Sequence, residues 1–227
     1  MMTLIDQNIK DIETKLLEMA EIVQNQIADA IKALLDRDSK LAECVMARDK
    51  KVNSYDVTID EDCIKFIALR QPKAKDLREI ITMMKMTSDL ERIGDMAVNI
   101  CERVIELNEE PPLKPYIDLP RMTLIARDMV KNTIDAFLKK DKNLACNVIK
   151  SDDDVDLLMR QIANELTLFM IEDPKKISRA VKITYITKYI ERIADHAVNM
   201  AEMIIYLIEG KIIRHTEFEE SDICKKK

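Results

Sequence analysis

Two ten-residue stretches, one hundred positions apart, decide the fold of this chain: LERIGDMAVN at residues 90–99 and IERIADHAVN at residues 190–199. Roughly half of the positions are identical between residues 87–107 and residues 187–207. Two unrelated amphipathic helices share an apolar period, but they do not share the order of their polar residues. The two stretches therefore predict that the chain contains a tandem duplication.

A second matching pair, DSKLA at residues 38–42 and DKNLA at residues 141–145, extends the repeat beyond these stretches. Apolar residues recur in steps of three and four along residues 5–34, as they do on one face of a long helix. The segment EEPPLKP at residues 109–115 carries three prolines, which exclude a helix interior. The sequence therefore predicts an all-α protein with six long helices, built as a tandem duplication of a three-helix bundle.

The predicted boundaries follow from these breaks in the helical pattern. Pro72 is expected to stop the second helix, Pro120 to occupy the first position of the fourth, and Gly210 to end the sixth. The third helix is expected to begin near Lys75. The predicted parts are a first bundle at residues 1–109, a proline-rich linker at 110–118, a second bundle at 119–215 and a polar tail at 216–227.

The composition supports long helices and excludes several classes of function. Two glycines, no tryptophan and 34% charged residues do not suit a strand-rich fold, which needs many turn residues. A net charge of −6 provides no general basic character, so no nucleic-acid partner is expected. Two glycines also cannot form a glycine-rich phosphate loop, and the chain has no Glu-x-x-His pair of the diiron type. The chain is therefore not expected to be an enzyme.

The sequence also carries signals about cellular location. Its first residues lack the basic region and apolar core of a signal peptide, and no stretch approaches the roughly 18 apolar residues of a membrane span. The five cysteines are widely spaced and form no C-x-x-C motif, which is typical of reduced thiols in a cytosolic protein. We therefore expect a cytoplasmic protein that reaches the membrane only through its partners.

Oxygen-bearing side chains recur at the same offsets in both halves of the chain. On the third predicted helix they lie opposite the apolar face, and on the sixth the arrangement is repeated. Two carboxylates at i and i+4 repel each other unless something positive joins them. A divalent metal would satisfy such a row, although similar rows on acidic helices often simply face water. The two rows are Glu91, Asp95, Asn99 and Glu102, and Glu191, Asp195, Asn199 and Glu202.

A further i, i+4 carboxylate pair, Asp56 and Asp60, stands on the second predicted helix, where it could meet the acidic row of the third. The matching positions of the second half are Met159 and Ala163, so a second-half site is expected to be built differently or to be weaker.

Arginines follow the first glutamate of each row, at Arg92 and Arg192. They are expected to screen the neighbouring carboxylates and are candidates for a partner surface; oxyanion binding is the alternative.

The same segments resemble the PhoU family. The doubled ERIGD and ERIAD elements are similar to its repeated E(D)-x-x-x-D signature. KVNSYDVTID at residues 51–60, followed by RQPKAKDLR at residues 70–78, is similar to the family's stretch joining the second and third helices. The resemblance covers nearly the whole chain.

The resemblance implies a duplicated three-helix bundle that forms a homodimer. It implies a negative regulator of phosphate uptake and of the phosphate-starvation response, acting between the ATPase of the phosphate ABC transporter and a membrane sensor histidine kinase. Some members carry multinuclear iron or zinc clusters on surface E(D)-x-x-x-D motifs, and others have been seen without transition metal. The metal role carries over to Asp56, Asp60, Glu91, Asp95, Glu191 and Asp195, and more weakly to Asn99, Glu102, Asn199 and Glu202.

Two alternatives from other classes remain open at this point. One is a carboxylate-bridged, metal-dependent enzyme built on a helical bundle, which would need an open coordination position and a water-excluding pocket. The other is a helical scaffold that stores metal, for which deletion would leave phosphate-responsive genes unchanged.

Overall fold

A computed structural model of the protein describes residues 4–211, and within this range all regular structure is helical. A short 3₁₀ turn at Pro174–Lys176 precedes the last helix. The prediction of an all-α protein with six long helices is confirmed, whereas the predicted tail at residues 216–227 lies outside the described range. The six helices are α1 (Leu4–Asp36), α2 (Ser39–Arg70), α3 (Ala74–Asn108), α4 (Asp118–Lys139), α5 (Lys142–Glu172) and α6 (Ile177–Glu209).

The same turn connects the first two helices of each bundle. Arg37 and Lys140 adopt left-handed conformations with φ of 54° and 50°, which end α1 and α4. The side chains of Asp38 and Asp141 then accept hydrogen bonds from the backbone N–H groups of Leu41 and Leu144, at 3.0 and 3.1 Å. These carboxylates satisfy donors that a helix leaves unpaired in its first turn.

Two of the expected helix starts are displaced in the structure. Helix α3 begins at Ala74, one residue before Lys75, and α4 begins at Asp118, so that Pro120 is its third residue and not its first. The backbone N–H groups of the first helical turn have no intrahelical acceptor, so proline is tolerated anywhere in that turn. The expected first position for Pro120 was therefore wrong by two residues.

Helices α1, α2 and α3 pack on one another, as do α4, α5 and α6, and the buried residues of the two bundles form one continuous core. Buried positions recur between the bundles at spacings that are constant within each pair of related helices. Val52 and Val155, 103 positions apart, are both buried, as are Ile93 and Ile193, 100 positions apart. The bundles meet where α3 packs on α6 and α1 on α4. The boundaries of the predicted domains stay predictions, although the non-helical segment at residues 109–117 separates α3 from α4.

The linker between the bundles is anchored at both sides. Arg37 donates hydrogen bonds to the backbone carbonyls of Asn108 and Glu110, at 2.9 and 2.6 Å. The carboxylate of Glu110 pairs with Lys182 at 3.2 Å and with Arg179 at 3.6 Å, both on α6. The linker is therefore held by the α1–α2 turn and by the second bundle.

The cysteines differ from the expectation in one respect. Cys44, Cys63 and Cys101 are free thiols, but Cys146 is disulfide-bonded, and Cys224 lies outside the described residues. Spacing along the chain could not reveal this, because disulfide formation depends on distances set by tertiary structure. Within residues 4–211, none of the helices combines the length and apolar character needed to cross a membrane.

Candidate functional site: two carboxylate grooves

The first groove lies between α2 and α3 and brings together carboxylates from both helices. Burial raises the pKa of Glu91, the charge of Asp95 raises it further, and Asp56 and Asp49 add to the effect, while Arg92 lowers it. Burial also raises the pKa of Asp56, with a second contribution from Asp60. The structure thus brings Asp56, one residue of the predicted pair, near the acidic row of α3.

The second groove lies between α5 and α6 and contains the carboxylate whose pKa is raised furthest, that of Asp152. Burial raises the pKa of Asp152 to about 7, and the charges of Asp195, Asp156 and Glu191 contribute to that rise. Burial and the charge of Glu191 likewise raise the pKa of Asp195. Carboxylates with raised pKa values resist ionisation unless a positive charge is nearby. This groove is therefore suited to a cation or to a basic partner.

Four residues of these grooves were missed from the sequence: Asp49 and Asn53 on α2, and Asp152 and Asp156 on α5. Helix α5 has no counterpart of Asp56 and Asp60, but it still contributes carboxylates to the second groove, from Asp152 and Asp156. A signal was available, because the spacing of 103 between the two DxxLA turns relates Asp49 to Asp152 and Asn53 to Asp156.

In the first groove, side-chain amides contact both carboxylate oxygens of Asp49. Gln26 Nε2 donates to Asp49 Oδ1 at 3.3 Å, and Asn53 Nδ2 donates to Asp49 Oδ2 at 3.1 Å. A methyl group added at Gly94 would lie 3.0 Å from Asp49 Oδ1. The glycine of ERIGD therefore lets the carboxylate of α2 lie directly against α3.

The second groove has different residues at these positions. Met129 stands 103 positions after Gln26 and offers no hydrogen-bond donor, and Ala194 replaces Gly94. Asp152 Oδ1 and Glu191 Oε2 are buried without a hydrogen-bond partner. Buried polar atoms without partners are uncommon and costly, and the first groove also contains one, Gln26 Oε1.

The two arginines of the repeated motif behave differently. Arg92 pairs with Glu91 at 3.4 Å and with Asp95 at 3.3 Å, which is the expected screening. Arg192 is exposed, and Glu191 Oε1 instead accepts a bond from Lys188 Nζ at 2.5 Å. The first half has Ser88 at the position of Lys188. The positive charge therefore comes from Arg92 in the first groove and from Lys188 in the second.

The residues expected to be weaker metal ligands lie nearer the C-terminal ends of α3 and α6. Glu102 pairs with Arg103 at 3.4 Å, and neither Glu102 nor Glu202 is among the charges that raise the pKa of Glu91, Asp152 or Asp195. Asn99 and Asn199 are half-buried. The structure therefore centres each groove on the first two acidic residues of the repeated motif.

The donors of the second groove fit a metal ion in chemistry but are not pre-assembled around one. Carboxylate oxygens are ligands that hard divalent cations prefer, and two of these oxygens have no hydrogen-bond partner. Across the described range, no three Asp, Glu, His or Cys side chains are arranged so that they could hold a metal ion. Binding would therefore require rotation of side chains within the groove.

Comparison with known proteins gives a consistent result over nearly the whole chain. The family model described as PhoU domain matches residues 16–104 and 119–204. A PhoU homolog from Aquifex aeolicus, named as a phosphate-specific transport system accessory protein, is 43% identical over 94% of this chain and 97% of its own. The accessory protein PhoU of Escherichia coli strain K12 is 36% identical over 94% of this chain and 89% of its own.

Solved structures with the same fold agree with this result. The crystal structure of PhoU from Pseudomonas aeruginosa aligns with a TM-score of 0.88 at 40% identity, covering 91% of this chain and 99% of that one. The phosphate transport system regulatory protein PhoU from Streptococcus pneumoniae aligns with a TM-score of 0.85 at 26% identity, covering 92% of this chain and 98% of that one.

Proposed function

This chain belongs to the PhoU family, and from that membership we propose that it is an accessory protein of a phosphate-specific transport system. The observation that carries the proposal is the match to accessory proteins along almost the full length of both chains. The relatives are named as accessory or regulatory proteins, which supports a role without catalysis.

The finer role that we propose is negative regulation by docking. The chain would link the ATPase of the phosphate transporter to a membrane sensor histidine kinase in the cytoplasm, as a homodimer, and would reach the membrane only through these partners. Phosphate supply would change which complex is populated, which requires a difference in affinity between the two states of a partner. The two acidic grooves, one on each bundle, support this role because each offers a charged surface to a basic partner.

A divalent metal, iron or zinc, is part of the proposal. Asp152, Asp156, Glu191 and Asp195 would hold it in the second groove, and Asp56, Asp60, Glu91 and Asp95 would be the donors of the first. When bound, the metal supplies positive charge and Lewis acidity to the groove. The carboxylates themselves would orient the face that meets the partner.

The regulatory role is tested by deleting the gene for this chain and measuring a phosphate-starvation reporter during growth in high phosphate. We expect the deletion strain to express the reporter constitutively and the wild-type gene to restore repression. A reporter that stays repressed in the deletion strain would contradict the proposal and favour a metal-storing scaffold.

The docking surface is tested by complementation and by direct binding to the ATPase and to the cytoplasmic region of the kinase. Glu191→Gln with Asp195→Asn is expected to weaken binding and to raise reporter expression. The matched control, Glu43→Gln with Asp128→Asn, removes the same charge from exposed sites on α2 and α4. Equal effects of the two double variants would contradict a specific role for the groove.

A further inference from the structure

We propose that a cleft between the end of α1 and the linker at residues 109–117 binds a small amphipathic anion, a molecule with an apolar body and one carboxylate or phosphate group. The inference goes beyond the proposed function and does not depend on a metal or on the two acidic grooves. It is carried by the size of the cleft, by its lining and by a positive charge in it that no carboxylate of the described chain neutralises.

The cleft has the size and the apolar character of a small-molecule site. Its volume is about 450 Å³. Leu34 is buried, whereas Leu35 is 44% exposed and is therefore accessible to a ligand. Sites for small molecules commonly enclose about 300–1,000 Å³, are lined mainly by apolar side chains and often lie between domains. The apolar residues that line this cleft are Leu34, Leu35, Pro112, Leu113 and Pro115.

The polar lining of the cleft is cationic. Arg37, Lys114 and Tyr116 complete the lining, to which no Asp or Glu of residues 4–211 contributes. Two cations without a lining carboxylate favour an anionic ligand over a cationic one. Lys114 is already paired with Glu165, so Arg37 is the lining cation that remains for a ligand.

Arg37 is half-buried, and its hydrogen bonds leave its charge uncompensated. Its Nη2 atom donates to backbone carbonyls at the end of α3 and in the linker, which carry no net charge. Its Nε and Nη1 atoms donate to no residue that the structure describes. Asp36 and Asp38 flank Arg37 in sequence, but neither forms an ion pair with it. The free N–H groups of a guanidinium are suited to carboxylate and phosphate oxygens.

Tyr116 adds a hydroxyl group beside this guanidinium. Burial raises the pKa of Tyr116, and the positive charges of Arg37 and Arg179 counteract that rise, so both guanidinium groups lie near the hydroxyl. Arg179 is paired with Glu110 at 3.6 Å, which leaves Arg37 as the free cation of the two. Within the described range the hydroxyl has no hydrogen-bond partner. It is therefore placed to donate to an anion that Arg37 binds.

The repeat-related turn of the second bundle neutralises its cation internally. Lys140 stands 103 positions after Arg37 and shares its left-handed conformation. Its Nζ atom pairs with Glu79 at 2.5 Å and lies 4.1 Å from the centre of the Phe137 ring. Arg37 has no such ion pair among the described residues. The first bundle thus leaves open, at the same position, a charge that the second bundle satisfies.

The first experiment titrates full-length protein with anilinonaphthalene sulfonate, an apolar anion whose fluorescence rises on binding. We expect a single saturable site. Leu35→Glu places a negative charge on the wall of the cleft and should weaken binding by about tenfold or more. Leu138→Glu is the matched control, because Leu138 stands 103 positions after Leu35 and is 40% exposed. It should change the affinity by less than about twofold.

The contribution of the guanidinium is tested with a second matched pair, Arg37→Gln and Lys140→Gln. Glutamine keeps N–H donors for the carbonyl groups but removes the charge. We expect Arg37→Gln to weaken binding of the dye by about tenfold and Lys140→Gln to leave it within about twofold. Circular dichroism checks folding, and if Arg37→Gln fails to fold, the pair at Leu35 and Leu138 decides.

The chemistry of the ligand is tested by displacing the dye with octanoate, octyl phosphate and octanol. We expect at least one of the two anions to displace it at lower concentration than octanol, and the better of them identifies the head group. Binding of that anion should also slow hydrogen exchange in residues 109–117. Octanol that competes as well as both anions would overturn the anionic character of the site.

Absence of saturable dye binding, or equal effects of the variants within each matched pair, would overturn the site itself. Neither result bears on the proposed function, because the phosphate-starvation reporter tests the regulatory role separately.

Discussion

At the scale of single residues, burial decides which thiols can react. Cys63 and Cys101 are fully buried, and burial raises the pKa of each to about 12, whereas Cys44 is exposed. Thiolate is the reactive form, and a pKa of about 12 leaves roughly one thiol in 10,000 ionised at pH 8. Side chains of the same type therefore differ in chemistry because of their position in the bundle.

We expect iodoacetamide at pH 8 to alkylate Cys44 in the native protein and to leave Cys63 and Cys101 unmodified, as measured by peptide mass spectrometry. In urea all three should be alkylated at similar rates, which provides the internal control. Alkylation of Cys101 as fast as Cys44 under native conditions would contradict the packing of α3 described above.

Asp152 makes the free energy of unfolding depend on pH. Its pKa of about 7 in the folded protein exceeds the value near 4 of an unfolded aspartic acid, so the folded state binds the extra proton between these values. Because the folded state then holds more protons, the stabilisation that Asp152 contributes is fully present below about pH 4. This contribution is lost as the pH rises toward 7. This is the reverse of the usual behaviour of a paired carboxylate.

We expect the free energy of unfolding of metal-free protein, measured by urea denaturation in chelator, to fall between about pH 4 and pH 7. Asp152→Asn should remove on the order of 2 kcal/mol of that fall. Asp154→Asn changes an exposed residue of the same helix and should leave the pH dependence unchanged. A variant of Asp152 with the wild-type pH dependence would sink the prediction.

At the scale of the helices, the capping aspartates set where the second helix of each bundle begins. Asp38 and Asp141 accept equivalent hydrogen bonds, and both follow a residue in a left-handed conformation. The repeated DxxLA segment is therefore a helix start in both copies, independent of the different side chains around it.

We expect Asp38→Ala and Asp141→Ala each to lower the free energy of unfolding by about 1 kcal/mol, because a cap donor loses its acceptor. Asp36→Ala is the control, since a negative charge in the last turn of α1 opposes the helix dipole and its removal should be neutral or slightly stabilising. Urea denaturation at neutral pH measures all three. Equal losses for Asp36→Ala and Asp38→Ala would refute the capping role.

At the scale of the whole molecule, the linker contributes to the arrangement of the two bundles. Arg37 contacts carbonyl groups at the end of α3 and in the linker, and Glu110 contacts α6. The short non-helical segment is thus tied to the elements on either side of it. An arginine is suited to this role because its planar group presents several N–H donors at once.

We expect Arg37→Met to increase hydrogen exchange in residues 109–117, because the carbonyls of this segment lose their donor. The free energy of unfolding should fall by about 1–3 kcal/mol, the usual result of leaving such groups unpaired. Arg37→Lys keeps the charge but not the multiple donors and should give an intermediate result. Exchange in the linker that is unchanged in Arg37→Met would show that other contacts hold it.

The sequence by itself determined the fold class, the duplication and the main helix breaks, because these depend on periodicity and on local capping chemistry. The repeated order of polar residues on α3 and α6 was also enough to indicate the first two acidic positions of each groove. The predicted start of α4 was less accurate. Proline is tolerated throughout the first turn of a helix, so Pro120 did not mark the first helical residue.

Only the tertiary structure decided how the grooves are completed. Asp49 and Asp152 stand at related positions, but Asp49 Oδ1 accepts a hydrogen bond from Gln26, 23 positions earlier on another helix, whereas Asp152 Oδ1 has no hydrogen-bond partner. The energy of a buried charge is set by its neighbours in space and by the water it has lost. Those quantities exist only once the helices have packed, which is why sequence spacing could indicate the acidic positions but not the burial and hydrogen bonding of each carboxylate.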